Sequence, residues 1–93
     1  MPKNAIVLHM DDNVATVLEK IKEGTKLLIE ISPKNLQSII ALTKIKFLHK
    51  IAIMDIPKGT AVIKYGQIIG RATTDIKKGE HVHTKNVKSW FYS

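Results

Sequence analysis

His81-Val82-His83 is the segment of this 93-residue sequence whose types and spacing best suit chemistry. In an extended strand residues i and i+2 point to one face, so both imidazoles project together while Val82 turns inward. Imidazole nitrogen is the commonest metal ligand, and two on one face begin a metal or anion site. A catalytic metal usually takes three protein ligands and keeps an open position. The third can come from His9, His49, an acid such as Glu80, or another chain. The plainer alternative is two exposed polar residues on the outer face of an edge strand. His49 enters the apolar stretch Ile51-Ala52-Ile53 and can act as a general base near neutral pH, or simply be a half-buried, hydrogen-bonded ring. Lys50 and Lys64 can each pair with a carboxylate substrate or remain solvated surface groups, and Tyr65 is expected to pack beside Gly66.

Much other chemistry is excluded. Without cysteine there is no disulfide, thiolate zinc site or cysteine nucleophile. Neither a P-loop nor a GxGxxG, GxSxG or HExxH pattern occurs, so nucleotide binding and serine or zinc hydrolysis lack support. The net charge of +7 meets the electrostatic criterion for nucleic acid. However, fourteen of the fifteen basic residues are lysine and Arg71 stands alone, whereas base and phosphate recognition favours the guanidinium fork. Composition therefore argues against nucleic acid.

The scaffold has to be small. A chain of this length makes one domain with a limited core, and such chains often gain stability from a partner. No apolar run approaches the roughly 20 residues that cross a bilayer, and the start lacks a secretory pattern. The expectation is a soluble, cytoplasmic domain spanning 1–93, with no membrane contact and with room for self-association.

Along the chain, 4–9 reads as a short strand. Val14, Val17, Leu18 and Ile21 lie at i, i+3, i+4 and i+7 behind the capping candidates Asp11, Asp12 and Asn13, with Gly24 after them. That spacing predicts one short N-terminal helix over about 13–22. Lys26 to Ile31 reads as a strand. Residues 32–48 fit either a helix opened by Ser32-Pro33 or the return strand of a hairpin turning at Ser32-Pro33-Lys34-Asn35. Ala52-x-x-Asp55-Ile56-Pro57-Lys58-Gly59-x-x-Val62 recurs as Ala72-x-x-Asp75-Ile76-Lys77-Lys78-Gly79-x-x-Val82. Each copy reads as strand, tight turn, strand. The expected fold is therefore mainly β, built of bent hairpins with one short helix. Trp90-Phe91-Tyr92 forms an apolar tail suited to docking on this domain or another subunit.

These residues carry a resemblance. Leu8-His9-x-x-Asp12-Asn13-Val14-Ala15, His49-Lys50-Ile51-Ala52 and Asp55-Ile56-Pro57-Lys58-Gly59 resemble the N-terminal domain of the altronate/galactarate dehydratase family. So do Val62-Ile63-Lys64-Tyr65-Gly66-Gln67-Ile68-Ile69-Gly70-Arg71-Ala72 and the continuation from Asp75 to Asn86. The match covers 6–88 and leaves 89–93 as the aromatic tail. It implies a SAF domain with a β-clip fold, and its position favours the hairpin for 32–48. Members of the family remove water, or in one branch sulfite, from hydroxy acids, with a divalent metal such as iron as electrophile.

Some members join this domain to a larger catalytic domain, and others carry it as a small subunit. The resemblance thus implies the small subunit of a two-part hydro-lyase, inactive alone, that shares a site for iron or manganese with a large catalytic chain. His81 and His83 are then the metal candidates, and His49 and Lys50 the catalytic ones. His9, Asn13, Lys64, Tyr65 and Asn86 are the substrate-binding candidates. Leu48 replaces the family's usual Gly before His49, and Lys85 stands where altronate dehydratases tend to have a third His. The alternative is a stand-alone binding module for anionic sugars or polyanions, without catalysis.

Overall fold

A computed structural model describes residues 3–33 and 35–89, so the 90–92 aromatic tail lies outside the described residues. Among the described residues nine strands follow in chain order: β1 Ala5–Ile6, β2 Val14–Val17, β3 Lys26–Ser32, β4 Asn35–Ile40, β5 Lys50–Ala52, β6 Ala61–Lys64, β7 Gln67–Ala72, β8 His81–Val82 and β9 Val87–Ser89. One sheet has the order β4-β3-β1-β2-β5-β8, and the other β6-β7-β9. Only β1 and β3 run parallel; the other neighbours are antiparallel.

The expected helix over 13–22 is absent, and no helix occurs among the described residues. Val14-Ala15-Thr16-Val17 is a strand buried along its whole length. Val14 packs into one apolar cluster with Ala52, Ile56, Val62 and Val82. Ala15 and Val17 face the other, with Leu27, Ile29 and Ile51. A strand that is apolar on both faces loses its period-2 alternation, and here the remainder imitates helical spacing. Two β-branched valines in four residues suit the pleat. β3 and β4 make the hairpin, with Ser32 opposite Asn35 and Lys26 opposite Ile40.

Four tight turns, paired two by two, organise the rest. Ile56 and Ile76 form a reciprocal bridge, with Gly59 N–H donating to Ala72 C=O at 2.8 Å and Gly79 N–H to Ala52 C=O at 2.9 Å. Ile21 and Ile45 do the same, with Gly24 N–H donating to Ala41 C=O at 2.8 Å and Leu48 N–H to Val17 C=O at 3.1 Å. The eighth residue of every turn has positive φ: 86° at Gly24, 65° at Leu48, 85° at Gly59 and 95° at Gly79. Glycine takes that conformation freely, whereas leucine does so under strain. The two recurrences read from sequence are thus half of a fourfold set. The other two copies, Val17 to Gly24 and Ala41 to Leu48, keep the bridging Ile and the spacing but little else.

Candidate metal centre

His49 lies just before β5, His81 opens β8, and His83 stands in the bend after it. Ile51 of β5 pairs with His81 of β8, which carries the rings toward one another. One ring nitrogen from each of His49, His81 and His83 lies within 4.8 Å of the other two, so the three could hold a metal ion. The rings stack almost parallel, their centroids 4.0 Å apart for His49–His83 and 5.0 Å for His49–His81. His49 Nδ1 and His81 Nε2 share a hydrogen bond of 2.8 Å. Val82 between the two β8-end histidines is fully buried.

Backbone clamps hold this loop. The buried Asn86 side chain donates to His81 C=O at 2.7 Å and accepts from His83 N–H at 2.9 Å. Thr43 Oγ1 accepts from His81 N–H at 3.1 Å. His83 Nδ1 is buried and has no hydrogen-bond partner. A buried ring nitrogen left unpaired is a standing cost, and coordination is one way to remove it.

The surroundings disfavour a charge on His81 and His83. Burial first, then the positive charge of Lys85 and the neighbouring rings, pushes His81 down to about 4. His83 is lowered by burial, then by His49, Lys50 and Lys46. Neutral imidazole is the form that ligates a metal, because its lone pair is free. Lys50 is half-buried, and its ammonium is held below the usual lysine range by burial and then by Lys64. It lines a recess of about 160 Å3 together with His83, Thr84 and Val87.

The remaining candidates fall elsewhere. Asn13 is buried and links the sheets, donating to Ala61 C=O at 2.9 Å and accepting from Ile63 N–H at 2.8 Å. Its neighbour Asp12 accepts from Tyr65 N–H at 3.1 Å and Gly66 N–H at 2.8 Å. Tyr65 and Gly66, with φ of 58° and 71°, form the two-residue turn between β6 and β7. The exposed Tyr65 ring carries Lys64 Nζ 4.7 Å above it. His9 packs over Gly66, where an added Cβ would meet the imidazole at 2.9 Å. His9, Asn13 and Tyr65 thus form a hairpin clamp. Asp12, a helix-capping candidate by sequence, instead caps the β6–β7 turn. Thr43 and the fixing role of Asn86 had no sequence signal beyond residue type, because their partners lie elsewhere in the fold.

The model of the altronate/galactarate dehydratase SAF domain matches residues 3–90. The chain belongs to that family. Its SAF domain is 40% identical to altronate dehydratase of Escherichia coli over 90% of this chain and 16% of that protein. It is 37% identical to altronate dehydratase of Bacillus subtilis over 94% of this chain and 16% of that one. It also shares 51% identity with the (2R)-sulfolactate sulfo-lyase subunit alpha of Chromohalobacter salexigens, over 44% of each chain. The match therefore covers about a sixth of each altronate dehydratase and less than half of the sulfo-lyase subunit. Among the described residues no helix is long and apolar enough to cross a membrane.

Proposed function

We propose that this SAF domain is the small component of a hydroxy-acid lyase of the altronate/galactarate dehydratase type, working with a larger catalytic polypeptide. The observation that carries this reading is the convergence of His49, His81 and His83, together with a buried Nδ1 of His83 that has no hydrogen-bond partner. Three imidazoles suit a divalent first-row metal such as iron or manganese. Such an ion, when bound, supplies Lewis-acid polarisation of a hydroxyl or carboxylate oxygen. His49 belongs with the ligands rather than acting as the base expected for it.

Lys50 is the residue suited to accept the proton α to a carboxylate, because its lowered pKa leaves more of the amine neutral. Asn86 positions the ligand loop. The need for a larger partner is supported by two relatives of which this domain covers 16%, and by a third whose own name is that of a subunit. The test is dehydration of altronate and galactarate, and cleavage of sulfolactate, by this chain, a candidate large chain, and the two mixed, with Fe2+ or Mn2+. Activity is expected only in the mixture. Failure of the two chains to associate, or activity that survives replacement of all three histidines, overturns the reading.

A further inference from the structure

The paired turns differ in one respect that changes their chemistry. In the Ile56–Ile76 pair, Asp55 Oδ1 accepts from Lys78 N–H at 2.9 Å and Asp75 Oδ1 accepts from Lys58 N–H at 2.8 Å. In the Ile21–Ile45 pair the fourth position of each turn is Lys20 or Lys44 instead. The equivalent donors are the N–H groups of Phe47 and Glu23, and among the described residues no carboxylate caps them. A cleft of about 760 Å3 opens at this place, walled by Lys20, Lys22, Lys44, Lys46 and Lys85 against the single acid Glu23. Ile21 and Thr43 also line it, and His81 stands on its edge.

We propose that this cleft is an anion site for a small dicarboxylate. One carboxylate takes the place that an aspartate side chain fills in the other turn pair, and the rest of the molecule extends toward His81. Backbone N–H donors with flanking ammonium groups bind a carboxylate by charge-assisted hydrogen bonds. The volume lies in the range of small-ligand pockets. Five lysines around one acid leave an excess of positive charge that a dianion neutralises better than a monoanion. That the dianion is the lyase substrate rests on the function proposed above; that the cleft takes a dianion does not.

The test titrates the full chain, in EDTA and without any large chain, with galactarate and with glycolate, following backbone amide shifts and calorimetric heat. Saturable galactarate binding is expected, with shifts at Ile21, Glu23, Thr43 and His81, and weaker glycolate binding. Lys20→Gln with Lys44→Gln should weaken galactarate by about tenfold. Lys58→Gln with Lys78→Gln, which removes the same charge from the other turn pair, should change it by less than about twofold. Lys20→Asp with Lys44→Asp supplies internal caps, and should abolish binding while raising the melting temperature. Absence of saturation, equal affinity for glycolate, or equal weakening by the two glutamine pairs overturns the proposal. With no metal or second chain present, a negative result here leaves the lyase reading standing. A failed lyase assay likewise leaves a positive titration standing.

Discussion

His49 Nδ1 and His81 Nε2 stand 2.8 Å apart, close enough that a single proton serves both nitrogens. The third ring, His83, stacks 4.0 Å from His49, so a charge on any one of them faces two neighbours. Lys85 and Lys50 add to the repulsion at His81. A metal ion bound at this place would have to displace the shared proton, so its affinity would depend on how easily that proton leaves.

Stability should depend on pH through the same rings. His81 is pushed down to about 4 and His83 is also lowered, whereas in the unfolded chain each titrates near about 6.5. Between those values the unfolded state binds more protons than the folded one. The contribution is therefore complete above about 6.5 and is lost as pH falls toward about 4. After discounting for solvent screening it amounts to about 1 kcal/mol for His81, or roughly 5 °C in a domain of this size. Thermal melts from neutral to acid pH should show His81→Gln losing less stability than the parent chain. Parallel curves would sink the assignment.

Metal affinity should respond in both directions. Replacing His49, His81 or His83 by Gln removes one of three ligands and should weaken Mn2+ or Co2+ binding by about a hundredfold. Lys85→Gln should instead tighten it by about threefold, since it removes a cation beside the site at a cost of roughly 0.6 kcal/mol of repulsion. Chelation should lower the melting temperature of the parent and leave the His83→Gln variant unchanged. Calorimetry and the Co2+ visible spectrum read these effects; unaltered Co2+ binding in all three glutamine variants contradicts the centre.

Leu48 occupies the left-handed turn position that is glycine in the other three copies, at φ 65°. The conformation costs a leucine about 1–2 kcal/mol, and glycine gives back part of this through its unfolded-state entropy. The side chain is 55% exposed, so little packing is lost. Leu48→Gly should therefore raise stability by about 0.5–1 kcal/mol, while Leu48→Ala, still carrying a Cβ, should bring no gain. Urea midpoints for the pair decide it, and equal behaviour of Gly and Ala would show that φ is not the source of strain.

How far the sequence discloses all this follows from where each signal is stored. The Asp55 and Asp75 copies are legible because Ala, Asp, Ile, Lys, Gly and Val coincide at one spacing. The Ile21 and Ile45 turns share only Lys-Ile-Lys and the spacing to Gly24 or Leu48, since backbone hydrogen bonds, indifferent to side chain, define the motif. The strand Val14–Val17 reads as a helix because both its faces are covered. His81 and His83 share a face for reasons local to the chain. The approach of His49 is set by the β5–β8 pairing across thirty-two residues, which local periodicity does not encode.

Asn86 gives the sharpest separation of position from stability. Its side chain is buried, and both of its hydrogen bonds end on the backbone of the two metal-candidate residues, His81 and His83. Asn86→Ala leaves one donor and one acceptor unpaired and should cost about 2 kcal/mol. Asp55→Ala breaks a capping bond in the distant turn pair and should cost about 1 kcal/mol. If Asn86 only supports the fold, both variants should bind Mn2+ in proportion to their folded fraction. If it sets the ligand loop, Asn86→Ala alone should lose affinity by about 10–100-fold when measured on fully folded protein at low temperature. A loss confined to that variant follows from the geometry, because the loop it releases carries two of the three imidazoles.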